Sequence, residues 1–154
     1  MLLHGHGMRG RLVRGPLRPL GEPEEVEIQV RRYLCRRCGA VVQVVPRGVL
    51  RYRLFSANAI GLALALWALK QLPAEQVRRR VSPWSKVGFA AASGWASLRR
   101  WVRQAGQLFA WVRPSPDGWT ARQRAERIAT TLAASAPAGE GHLACAFAGA
   151  AQHW

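Results

Sequence analysis

The chain has 154 residues, of which 49% are hydrophobic, and carries Lys+Arg 23 against Asp+Glu 8 for a net charge of +15. That length suits one domain or two very small ones, and that apolar content excludes wholesale disorder. Three cysteines, with Cys145 isolated from the other two, exclude a disulfide framework and suit a reducing cytosol.

In chain order, Gly10 to Arg14 reads as a strand closed by Gly15-Pro16, and Pro19, Gly21 and Pro23 make the loop after it. Val26 to Leu34 alternates apolar and polar residues with the period of a half-buried strand. It runs into Cys35-Arg-Arg-Cys38-Gly39, and Val41 to Val45, closed by Pro46, reads as a third strand. Three short strands around a Cys pair are the parts of a zinc ribbon, a unit that buries little surface and leans on its metal. From Ser56 the character turns helical, with Ser56 as N-cap of a helix over Ala57 to Gln71. The apolar run from Leu54 to Leu69 is shorter than the roughly 20 residues needed to span a bilayer, so a buried helix is expected. Pro73 opens a short helix over Ala74 to Val81, and Ser82-Pro83-Trp84 interrupts it. A third helix is expected from Gly94 or Trp95 to Trp111 with Ser93 as its N-cap. Thr120 caps a fourth helix through about Ala134, and the Ala/Gly-rich tail beyond Pro137 reads at most as a weak final helix. The expected class is α+β, mostly α. A zinc-ribbon-like β unit over 1–53, which reads as truncated, precedes a helix-turn-helix-like bundle over 54–112. Residues 113–154 read as a partly flexible helical extension.

A Cys-x2-Cys-Gly turn converges two thiolates on one metal and lets backbone amides face the sulfurs. Cys35 and Cys38 are therefore the candidate zinc ligands, with His4 and His6 as the pair that could close a tetrahedron; the alternative places those histidines in a frayed terminus. His142 and Cys145, three apart, read as incidental. Arg31, Arg32, Arg36 and Arg37 flank the thiols.

Residues 56–71 fit the platform of a helix-turn-helix and 74–81 its short second helix, with Arg78 and Arg79 on its polar side. In the third helix Trp95, Leu98 and Val102 share the core face. The opposite row is then Ser97, Arg100 and Gln104, with Arg99 and Arg103 at its edges, and arginine there reads guanine or holds phosphate. The plainer reading is an amphipathic helix with arginine on a solvated face. Trp67, Trp84, Trp95 and Trp101 read as core anchors, with base-stacking platforms as the alternative.

The segments His4-Gly-His-Gly-Met-Arg-Gly-Arg11 and Val30-Arg-Arg-Tyr-Leu-Cys-Arg-Arg-Cys38 resemble the N-terminal zinc-binding region of bacterial insertion-sequence transposases. In that family a first Cys pair precedes a His-Gly segment, a strand ending in Arg-Arg-x-x-Cys-x-x-Cys completes the site, and a helix-turn-helix follows. The resemblance covers about the first two thirds of the chain and implies Cys35 and Cys38 as zinc ligands and His4 as the motif histidine. The first Cys pair does not precede His4, which implies a truncated copy.

Such transposases cut DNA with three carboxylates around two metal ions. Here Asp117 is the only aspartate, and the glutamates cluster at 22–27 or scatter at Glu75, Glu126 and Glu140. No phosphate-binding loop or hydrolase elbow is present either, so the chain is expected to bind without cutting. A charge excess of this size is neutralised by a polyanion or tolerated as self-repulsion, and the plainer reading traces it to GC-rich codon usage that favours arginine. The expected function is a transposase-related module that binds double-stranded DNA in a cytoplasmic, nucleoid-associated setting. The alternatives are a small structural or RNA-associated zinc protein, a basic protein lying on a membrane surface, and a degenerate transposase fragment.

Overall fold

The computed structural model of the chain describes residues 2–85, 95–137 and 141–152. The expected cap at Ser93 and helix start at Gly94 lie outside them. The fold is α+β: three antiparallel strands in the order β1-β2-β3 precede six helices among the described residues.

β1 (Leu3–Pro16) and β2 (Pro23–Cys35) form a long hairpin, and the short β3 (Val41–Val44) pairs with the far end of β2. Both long strands outrun the alternation seen in the sequence. Gly5, Gly7 and Gly10 weaken the strand signal of residues 3–10, yet β2 supplies that segment with a complete ladder partner. His4 therefore pairs with Leu34 inside the sheet and belongs to no frayed end. A bulge sets His6 and Gly7 opposite Arg32, and Gly7 takes φ 78, a conformation glycine adopts without cost.

Alternation gives the sheet two unlike faces. Val13, Val26, Ile28 and Val30 turn toward the helices, and Val30 is fully buried. Met8 and Leu12 lie on the other face with Arg31 and stay exposed, as do Val42 and Val44. The sheet thus rests on an apolar layer of its own, where the ribbon reading had it leaning on metal. Main-chain bonds from Arg14 N to the Leu54 carbonyl (2.7 Å) and from Ser56 N to the Arg14 carbonyl (3.0 Å) tie β1 to the start of the first helix.

That helix, α1 (Ala57–Ala68), is the hub. Ser56 caps it by accepting from Ala59 N at 3.1 Å, and all its residues but Asn58 are buried. A helix apolar all round needs neighbours on every side. It finds them in α2 (Ala74–Val81), α3 (Ser97–Arg103), α5 (Ala121–Ala134) and α6 (His142–Ala150). No helix among the described residues is long and apolar enough to cross a membrane.

The third helix does not run on to Trp111. α3 stops at Arg103, Gln104 leaves helical geometry with φ −99 and ψ 9, and α4 (Ala105–Leu108) is a single turn. Phe109 is extended and fully buried, with Val112 buried after it. The chain bends there, and Leu108, Phe109 and Val112 still join the core around α1. α5 begins with a reciprocal cap between Thr120 and Gln123, as the sequence led one to expect. The expected boundary at 112/113 is no break in packing: Ile128 and Leu132 of α5 and Phe147 and Ala150 of α6 belong to the same core as α1.

Candidate nucleic-acid interface and thiol pair

On α3 the buried stripe is Leu98, Trp101, Val102 and, one turn on, Ala105, with Trp95 packed edge-on against Trp101 at 5.0 Å between centroids. Phe55 meets both indoles, at 6.0 and 5.2 Å. Trp101 is the largest side chain on the helix, and burying it gains more than burying Ser97 costs. The helix is therefore turned by about one residue position relative to expectation. Ser97 is buried and accepts from Arg100 at 3.1 Å, and half-buried Gln104 accepts from Arg53 at 3.0 Å. The exposed basic row is Arg99, Arg100 and Arg103, and Ser97 and Gln104 are corrected from surface readers to packing residues.

Arg78 is also corrected. It is only 6% exposed, and it binds Glu75 through both Nε (2.9 Å) and an Nη (2.5 Å) while its other Nη donates to the Trp84 carbonyl. This guanidinium ties α2 to the segment after it and has no face left for phosphate. Arg79 and Arg80 remain exposed, Arg79 with a looser 3.4 Å contact to Glu75. Trp84 is 57% exposed and Arg14 lies over its ring at 5.8 Å, so it is a surface indole and no core anchor, unlike Trp67, Trp95 and Trp101.

Hydrogen bonding to Arg78, then the charge of Arg78 and the weaker pull of Arg79, holds the Glu75 carboxyl down to about 2 against the opposing effect of burial. A carboxylate lowered by folding stabilises the native state above its ordinary titration range, and that gain is lost as pH falls through the folded value. Glu75→Gln is therefore expected to be less stable than the parent above pH 4.5, with the two stabilities converging as pH approaches 2. Urea unfolding measured across that range checks it; parallel curves would refute the pairing.

At the hairpin end, Gly39 N donates to the Cys35 carbonyl (2.9 Å) and Cys35 N to the Ala40 carbonyl (2.8 Å), closing a tight turn in which Gly39 takes φ 70. The Cys38 main-chain N–H, then that of Arg37 and then the Cys38 thiol, hold the Cys35 thiol below its usual range, and burial opposes them only weakly. Main-chain amides facing sulfur favour a thiolate. Cys35 is 4% exposed, while Cys38, Arg36 and Arg37 are open to solvent. Arg31 and Arg32 alternate onto opposite faces: Arg31 is exposed beside Tyr33, and half-buried Arg32 donates to the His6 carbonyl at 3.3 Å.

Zinc requires four donors in a tetrahedron. No group of three or more His, Cys, Asp or Glu that could share an ion occurs among the described residues. The register explains why the expected set does not gather. His4 lies opposite Leu34 while Leu3 lies opposite Cys35, which puts the imidazole and the Cys35 thiol on different faces. The Nε2 of His4 is buried without a partner on its own face, and His6 is exposed in the bulge. Among the described residues, His4 and His6 do not gather with Cys35 and Cys38 into a common donor set.

No protein-family model matches this chain, and neither a curated protein nor a solved structure matches it.

Proposed function

We propose that the protein binds double-stranded DNA through the basic row of α3, as a transposase-like binding module with no cutting chemistry of its own. Arg99, Arg100 and Arg103 would take the central phosphates or groove edge. Arg79, Arg80, Arg36, Arg37 and Arg31 would extend the contact to flanking phosphates.

One observation carries the reading: the positive charge is displayed and not neutralised internally. Among the described residues the ion pairs are Arg14–Glu25, Arg78–Glu75 and Arg79–Glu75, which leaves the α3 row and Arg31, Arg36 and Arg37 of the hairpin facing solvent without carboxylate partners. Carrying a net charge of +15 on a chain of this size costs self-repulsion that a polyanion relieves. An exposed Trp84 beside Arg14 offers a surface on which a base or sugar can stack.

The test is fluorescence anisotropy with a labelled duplex at several salt concentrations. Log affinity should fall linearly with log salt, with a slope of about −0.9 for each phosphate neutralised. Binding that ignores salt, or structured RNA competing far better than duplex DNA, would count against the assignment.

A further inference from the structure

We infer that Cys35 and Cys38 are one half of a tetrahedral zinc site whose other half is the same pair of thiols from a second copy of this chain. One metal ion then joins two protomers at their hairpin ends. This does not depend on the nucleic-acid reading.

The turn itself is built like a ligand pair. Two cysteines three residues apart flank a tight turn, closed by Gly39 N donating to the Cys35 carbonyl at 2.9 Å and Cys35 N to the Ala40 carbonyl at 2.8 Å. Glycine at 39 is required there by its φ of 70, and nothing stands within 4 Å of where its Cβ would be. A structural zinc site has four protein ligands, and the described residues of one chain bring two. His4 shows that the shortfall is geometric, since it is one register position away but on the wrong face.

The surroundings suit an identical partner. Cys38 and the rest of the turn from Arg36 to Ala40 are exposed at the end of the hairpin, so a second turn can approach them, while Cys35 lies buried directly behind. Leu2 and Leu3 lie beside it, with Arg36 N donating to the Leu2 carbonyl at 3.3 Å, and both stay exposed with Val41 and Val42. Meeting a second copy would cover this apolar collar. Charge decides the point. Two such ends bring four guanidinium groups, Arg36 and Arg37 of each copy, into one region, where they repel. Zinc bound by four thiolates carries two net negative charges and supplies the counter-charge at that spot. The step is proton release without redox: two chains give up four thiol protons to solvent, four Zn–S bonds form, and no electron moves.

The experiment uses the full chain, reduced and free of nucleic acid, titrated with Co2+ as a spectroscopic stand-in and then with Zn2+. Uptake should saturate at about half an ion per chain, with sulfur-to-metal charge-transfer absorption and the visible bands of tetrahedral cobalt. Light scattering should show the mass doubling on metal addition and returning on chelation. Cys38→Ser, at an exposed position that leaves the core untouched, should lose both metal and dimer with an unchanged circular dichroism spectrum. One ion per monomeric chain, no metal retained by the reduced protein, or a dimer that survives chelation would each overturn the inference. So would a Cys38→Ser variant that still dimerises with zinc.

Discussion

Changing Arg99, Arg100 and Arg103 together to alanine is expected to weaken duplex binding about 100-fold at ~0.15 M salt and to shrink the salt slope by about 2.7. The size follows from counterion release: three phosphate contacts each contribute about 0.9 to the slope, and the effect is taken from ~1 M, where it vanishes, down to ~0.15 M. Stability should hardly change, because all three side chains are exposed and such substitutions fall within about 0.5 kcal/mol. Anisotropy titrations of parent and variant at matched salt, with thermal melts of both, separate loss of contact from loss of fold. An unaltered slope in a folded variant would remove α3 from the interface. Ser97→Ala is the useful contrast, because a buried Ser97 touches no phosphate and its loss should leave the slope alone.

The largest structural effect is expected at Gly149 on α6. A methyl group built there would sit 1.7 Å from the Leu132 carbonyl oxygen and 2.7 Å from its carbon, both main-chain atoms of α5. Gly61 on α1 is hemmed in likewise, 2.7 Å from the Ala146 carbonyl oxygen. These glycines let three backbones approach more closely than any side chain permits. Helix propensity alone would favour Gly149→Ala by about 1 kcal/mol. The clash opposes it with rigid backbone as the partner, at roughly 3 kcal/mol or more. The clash wins, and for a chain of this size the melting temperature should fall by about 5 °C or more. A variant that melts at or above the parent temperature would mean that α5 and α6 do not pack this closely.

Local signals were legible in the residues. Ser56 and Thr120 announce helix starts because capping is settled within four residues, and both cap where expected. Pro73 opens α2 for the same reason. Long-range pairing was not legible: the glycine-rich stretch from Leu3 to Gly10 becomes strand only because β2 lies beside it. Arg78 looked like its neighbours Arg79 and Arg80, and only the position of Glu75 and the Trp84 carbonyl set it apart.

Read alone, the residues established an α+β chain with a three-stranded front, a buried central helix, a thiol pair at a turn and a surplus of arginine. Each of those follows from composition or from contacts a few residues apart. Tertiary packing decided which polar groups leave the surface: Ser97 is buried, Gln104 is bonded by Arg53, and the Trp84 carbonyl holds Arg78 in. It also decided that His4 lies across the sheet from Cys35. Face and partner are properties of a register, and a register is chosen by residues far apart in the chain.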